Sequence, residues 1–179
     1  IYRKDILASL GVTLPDTWDD VYAHTMPTLY QNNLQFFVPT NDYSLFLFQH
    51  GGSYYNADGT ASALDTPEAY AAFKEWTNLF TQNGIPTMAN FFNRFRTGTM
   101  PIGIAGSPEY IQFLAAAPEL LGKIGIATIP GHTKADGSVD RSDAGYADTV
   151  DMVFSASKHQ SEAFQFLDWW TTRDVQLSF

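Results

Sequence analysis

Cysteine is absent from the 179 residues, which removes a disulfide framework, a thiol nucleophile and a thiolate metal site in one step. A cysteine-free chain is compatible with an oxidising compartment without requiring one. Basic residues are scarce: 10 Lys and Arg stand against 19 Asp and Glu, for a formal net charge of −9. A nucleic-acid binder needs a basic patch to displace counterions, and no such run exists here. The same acidity argues against an electrostatic footing on a membrane surface. Long apolar runs are missing too, and none approaches the ~20 residues of a membrane-spanning helix. No signal peptide is visible, but the chain starts at Ile1 rather than Met and ends on Leu177-Ser178-Phe179. We expect these ends to be cuts through a longer polypeptide, so the missing leader says nothing about secretion.

What is plentiful is aromatic: 14 Phe, 9 Tyr and 4 Trp make up 15% of the chain. Such a load suits a Phe-rich core, or a surface that stacks sugars and other flat ligands. The length is enough for one domain with a sizeable core, or for part of a larger one.

The stretch FFNRFRTGTMPIGIAGSPEY, ending at Tyr110, organises the rest. Phe92 and Phe95, three apart, suit the buried side of a short helix. Gly98 stops that helix, since glycine takes the left-handed conformation without a Cβ penalty. Residues 99–105 are apolar and closed by Gly106, which predicts a buried strand. Ser107 then reads as a helix N-cap, with Pro108 at the first helical position and Glu109 in the first turn. A strand running into a helix N-terminus exposes free backbone N–H groups at a sheet edge, where ligands tend to bind in open α/β sheets. An ordinary strand-to-helix turn has the same pattern.

Upstream, residues 2–10 read as a short amphipathic helix stopped by Gly11. Thr17 caps a second helix, with Asp19 and Asp20 at its positive end, running to about Tyr30 with Pro27 as a kink or early stop. Residues 35–38 (QFFV) form a strand and residues 43–50 (YSLFLFQH) a helix capped by Asn41 or Asp42. Residues 54–60 make a small hairpin with an Asp58-Gly59 turn. Asn56, Asp58 and Thr60 have some character of a calcium loop but lack its Gly and bidentate Glu. Asp65-Thr66-Pro67-Glu68 opens the clearest helix, which runs to Asn83 and ends at Gly84. Its Tyr70, Phe73, Trp76, Thr77 and Phe80 repeat every three or four residues and predict one buried face.

Downstream, residues 123–129 read as a strand, 132–143 as a polar surface loop and 150–155 as a last strand. Ser157 caps a final helix that turns Ala163, Phe164, Phe166, Leu167 and Trp170 inward. Strands alternating with helices predict an α/β architecture.

Catalytic signatures are missing. His24, His50, His132 and His159 sit in separate elements without the spacing of metal ligands, and read as surface or cap-adjacent residues. Gly106-Ser107-Pro108 is not a nucleophile elbow, and neither GxGxxG nor a Walker loop is present. The carboxylate pairs Asp19-Asp20, Asp140 with Asp143 and Asp148 with Asp151 suit a glycosidase or plain solvated turns. No metal or cofactor is implied.

Taken together, several segments resemble the extracellular solute-binding proteins of ABC transporters, the family that includes maltose-binding protein. YRKDILASLGVTLPDTWDDV is similar to the family's Y-x-K-D-x-L followed by P-x-T-W-D-E, and HGGSYYNADG to its GG hairpin. FRTGTMPIGIAG matches its F-x-x-G-x-M-x-I-x-x-x-G strand, and APELLGKIGIATIPG its P-x-x-x-G-x-x-x-x-x-P-x-P segment. SASKHQSEAFQFLDWWTTRDVQ resembles its S-K-x-x-E-A-x-x-F-L-x-W tail. The ordered set, rather than any one motif, carries the resemblance over nearly the whole chain.

The resemblance implies one lobe of a class II periplasmic-binding-protein fold, a central β-sheet flanked by helices, with ligand held between two lobes. Residues 1–146 would be most of the C-terminal lobe. Residues 147–179 would be the hinge-crossing strand and helix that pack on the other lobe. Matching positions place Asn41, Asp42, Tyr43 and Phe46 at the cleft, then Ser107, Glu109 and Tyr110, then Tyr146, Asp148 and Thr149 at the crossing. Pro108 stands where the family often has Trp, which makes Tyr110 the candidate stacking ring. The implied function is non-catalytic: binding a carbohydrate, expected to be an oligosaccharide, and delivering it to ABC permease subunits, with no cofactor and no nucleic acid. The implied location is extracellular, on a lipoprotein anchor or in a periplasm. A glycosidase-type enzyme domain and a structural interaction module remain the alternatives. The apolar face of the last helix, without its lobe, leads us to expect an oligomer or a differently packed tail.

Overall fold

In the computed structural model, which describes residues 1–143 and 151–178, two adjacent phenylalanines show how the sheet divides the core. Successive residues of a strand face opposite sides. Phe36 joins a core cluster with Leu29, Val38, Phe46 and Leu79. Phe37 packs against a second cluster that contains Phe91, Phe95, Met100 and Phe113. The strand that carries them, β2 (Phe36–Phe37), lies in a mixed four-stranded sheet of order β2-β3-β1-β4. Its other members are β1 (Tyr2–Arg3), β3 (Ile102–Gly103) and β4 (Ile124–Gly125). β2 runs parallel to β3, while β1 is antiparallel to both β3 and β4.

The helices flank this sheet as an α/β lobe requires. Helix α1 (Lys4–Leu10) ends at Gly11 in the left-handed conformation. The expected helix over residues 2–10 is therefore shorter at its start. Tyr2 and Arg3 are drawn into the sheet, where Arg3 N–H donates to the Pro101 carbonyl at 2.7 Å. The buried Arg3 guanidinium also donates to the carbonyls of Phe95 and Arg96, satisfying the end of α6 (Phe91–Thr97) where the helix dipole favours a cation.

Helix α2 (Trp18–Asp20) starts on a capping box: Asp20 N–H donates to Thr17 Oγ1 at 3.1 Å, and Thr17 N–H donates to Asp20 Oδ2 at 3.0 Å. Pro27 neither stops nor sharply ends the helix. A wide turn at Val21–Thr25, in which Met26 N–H reaches the Val21 carbonyl, leads into α3 (Met26–Gln31). Pro27 has no N–H to give, and the widened turn just before it takes up the misfit.

Helices α4 (Tyr43–Gln49) and α5 (Pro67–Thr81) pack together. Thr66 caps α5 by accepting from Ala69 N–H. Only the later part of the aromatic stripe on α5 meets the core, where Trp76 and Phe80 pack half-buried. Ala69, Ala72 and Leu79 are buried, whereas Tyr70 and Phe73 are 69% and 50% exposed. Tyr70 and Phe73 are left along the flank. Helix α7 (Ser107–Ala116) follows β3, with Gly106 rather than Ser107 as its N-cap.

Residues 132–143 are more ordered than the surface loop expected. They form an antiparallel pair, β5 (His132–Thr133) with β6 (Val139–Asp140), around a turn at Gly137. The turn is closed by Lys134 N–H to the Ser138 carbonyl at 2.8 Å.

The chain divides into two compact units, Ile1–Ala144 and Gly145–Phe179. The second contains α8 (Gln160–Trp170) and α9 (Arg173–Ser178). Residues 151–155 are not a strand. The N-cap of α8 is His159, whose N–H donates to Ser157 Oγ at 3.2 Å. None of the α8 rings is buried: Phe164, Phe166 and Trp169 are each more than half exposed. The expected inward face is half-buried at Ala163, Leu167 and Trp170 and exposed at Phe164 and Phe166.

Candidate functional site

The parallel pairing of β2 and β3, with Phe37 opposite Gly103, brings two loops to the same end of the sheet. Parallel strands deliver their C-terminal ends side by side, and ligands of open α/β sheets bind there. The loop after β2 leads through Asn41 and Asp42 into Tyr43 at the start of α4, and the loop after β3 leads into Ser107, Glu109 and Tyr110 at the start of α7. The strands approach closely because residue 103 is glycine: a Cβ there would stand 2.6 Å from Phe37 Cβ.

A groove of about 250 Å³ opens at this end. Its floor and walls are largely apolar, with Ile102, Ile104, Leu14 and Ile126 among them, and its polar edge includes Ser107, Tyr110 and Thr128. Tyr110 is half-buried and Ser107 exposed. The first turn of α7 contributes backbone N–H groups that have no partner within the helix. An apolar cleft with a half-sheltered ring and a few hydroxyls suits a ligand with C–H faces and hydroxyl edges.

The other candidates separate from this groove. Glu109 turns back to cap its own helix, accepting from Gly106 N–H at 3.0 Å. Tyr43 lines a second concavity of about 690 Å³ with Leu64, Tyr70, Phe73 and Trp76. Its hydroxyl donates to the Ala69 carbonyl at 3.1 Å. Asn41 is exposed, and Asp42 is the N-cap residue of α4. Phe46 is fully buried, with its ring 4.7 Å from that of Trp18. It faces the core because it follows Leu45 on the inner side of α4, so it offers no surface to a ligand. Tyr146, Asp148 and Thr149 lie outside the described residues.

Sequence spacing missed one constellation. His50, at the end of α4, and His132, at the start of β5, meet on the Glu75 carboxylate of α5. The remaining two histidines are as expected: His24 is exposed and His159 caps α8.

Residues 1–177 match the bacterial extracellular solute-binding protein family. The chain belongs to that family. No curated protein matches it. Among solved structures it is similar to an ABC transporter solute-binding protein from Thermotoga lettingae TMO bound with α-D-tagatose. That match has 22% identity, a TM-score of 0.74, and covers 99% of this chain and 48% of the other. A solute-binding protein from Agrobacterium radiobacter K84 in complex with ribitol matches at 21% identity and TM-score 0.70, over 99% and 47% of the two chains. Maltose-bound T. maritima MalE3 matches at 20% identity and TM-score 0.71, over 98% and 48%. The family member described here thus spans about half the length of these solved structures, with their periplasmic-binding-protein fold and a mixed sheet flanked by helices. Among the described residues no helix is long and apolar enough to cross a membrane.

Proposed function

We propose that this chain supplies most of the C-terminal lobe of a non-catalytic sugar-binding component of an ABC importer. The groove at the start of α7 is the lobe's share of the ligand surface. The observation that carries this reading is the family match over residues 1–177 together with a groove at the ligand end of the sheet, edged by Ser107 and Tyr110. The relatives bound with tagatose, ribitol and maltose support a polyhydroxylated ligand, and within that class we favour an oligosaccharide. Tyr110 packs against the sugar's C–H face, and Ser107 with the N-terminal amides of α7 takes hydroxyls. Asn41, Asp42 and Tyr43 extend the surface along the same sheet end, and Asp148 with Tyr146 and Thr149 completes it at the crossing. The protein acts outside the cytoplasmic membrane, as a lipoprotein or in a periplasm, and passes its ligand to permease subunits. Residues 147–179 pack on the other lobe.

Isothermal titration of the full-length protein with a panel of mono- and oligosaccharides tests the reading, alongside an assay for released reducing ends. Binding without turnover is the expected result. Reducing ends released at a rate that Asp148→Ala abolishes would instead make the protein a glycosidase.

A further inference from the structure

The Glu75 carboxylate sits between two imidazoles. His50 Nε2 is 2.6 Å and His132 Nε2 2.8 Å from the same oxygen, Oε2. The other oxygen, Oε1, accepts from the Tyr22 hydroxyl at 2.7 Å. One oxygen is thus oriented by Tyr22 and the other is presented to both rings.

The tautomer of His132 follows from its other neighbour. Gln49 is buried, and its amide is oriented by two groups of fixed polarity. Trp18 Nε1 donates to Oε1 at 3.0 Å, and Nε2 donates to the Pro130 carbonyl at 3.2 Å. An indole N–H only donates and a carbonyl only accepts, so the amide has one orientation. Its Oε1, an acceptor, is 3.0 Å from His132 Nδ1, and Nδ1 must carry a proton. His132 Nε2 then has two states open to it, an N–H toward Glu75 or a lone pair on a cation. An imidazole whose far nitrogen is tied to an oxygen acceptor is the arrangement that orients histidine ligands in metal sites.

We propose that His50 Nε2, His132 Nε2 and Glu75 Oε2 bind a divalent transition-metal ion of the zinc class. The three ligand atoms lie within 4.8 Å of one another. Tetrahedral coordination at about 2.0–2.1 Å sets ligand atoms roughly 3.3 Å apart. Each imidazole therefore backs away from the carboxylate by roughly half an ångström or slightly more, while the metal replaces the two Nε2 protons. Two nitrogen donors and a single carboxylate favour zinc, nickel or copper over calcium or magnesium, which take oxygen ligands. The side chains of His50, Glu75 and His132 retain 24%, 18% and 25% exposure. That opening lets the ion enter and leaves a fourth position to water. The ligands come from α4, α5 and β5, so the ion ties three elements that are distant in sequence. The site is separate from the proposed sugar groove and does not depend on it.

The test is zinc uptake by tag-free, metal-stripped full-length protein, read by elemental analysis after dialysis and by calorimetric titration with Zn²⁺. The expected result is an equimolar, saturable zinc content, a raised Tm in zinc, and a Co²⁺ complex with the intense visible bands of four-coordinate cobalt. His132→Ala and the near-isosteric Glu75→Gln should each weaken zinc binding by at least the ~10–100-fold that loss of a supporting contact costs. Circular dichroism of Glu75→Gln establishes that it is folded. Sub-stoichiometric zinc in the parent protein, or unchanged affinity in folded Glu75→Gln, would reduce the trio to a hydrogen-bonded cluster and overturn the proposal.

Discussion

Trp18 Nε1 donates a 3.0 Å hydrogen bond to Gln49 Oε1, and both side chains are buried. The same amide donates to the Pro130 carbonyl at 3.2 Å, so one glutamine joins α2, α4 and the segment entering β5. Gln49→Leu keeps the approximate volume but strands an indole N–H and a carbonyl away from water. Each stranded group costs about 1–3 kcal/mol. The full-length variant should show a clearly lower denaturation midpoint by tryptophan fluorescence. An unchanged midpoint would mean that water reaches these groups.

The start of α2 offers a second test. Thr17 and Asp20 satisfy each other's backbone N–H groups in a closed box. Thr17→Ala removes the bond that Asp20 N–H donates to the hydroxyl and the 2.8 Å bond that the hydroxyl donates to Asp20 Oδ2, and should destabilise the protein by about 0.5–2 kcal/mol, while Thr17→Ser should restore most of the loss. Chemical denaturation of the three proteins compares them. A serine variant as weak as the alanine variant would place the effect in the lost methyl group.

The Thr17 cap was legible in the sequence because capping is local chemistry, although the reciprocal bond from Asp20 was not expected. The stops at Gly11 and Gly98 were legible for the same reason, and so was the run from β3 into α7. What the sequence hid depends on contacts between distant segments. Tyr2 and Arg3 look helical until the sheet claims them. The stripe from Tyr70 to Phe80 looks like core, but its periodicity cannot reveal that Ala69, Ala72 and Leu79 are the fully buried positions. Phe46 matched a cleft position in the family, yet one helical turn decides whether such a ring faces ligand or core. The pairing of His50 and His132 on Glu75 leaves no spacing signal, because three separate elements supply the groups.

The β5–β6 turn carries a pH prediction. Hydrogen bonds from Ser142, and then Lys134, hold the Asp140 carboxyl down to about 2. Lys134 Nζ lies 2.9 Å from Oδ2, and Ser142 N–H donates to Oδ1 at 2.8 Å. A carboxyl depressed in the folded state contributes stability that is full above its unfolded value, about 3.9, and is lost as pH falls through about 2. An NMR titration should find the Asp140 midpoint well below those of unpaired aspartates. Lys134→Met should move it upward, and a midpoint unaffected by that substitution would assign the shift to Ser142 alone.

The last prediction separates the groove from the whole cleft. In a two-lobed binder the closing motion buries the ligand between both lobes, and each contributes part of the contact. The 179 residues then hold only one wall, and the ligand's far side stays in water. The chain alone should bind its sugar far more weakly than the full-length protein. Within the full-length protein, Tyr110→Ala should cost about 1–3 kcal/mol of affinity, by analogy with aromatic stacking on flat ligands. Tyr110→Phe should cost less, since the ring rather than the hydroxyl does the packing. Titration of these proteins with one oligosaccharide decides between two geometries. Equal dissociation constants for the chain and the full-length protein would place the entire site in this lobe, with the groove beside α7 as a complete pocket rather than half of a cleft.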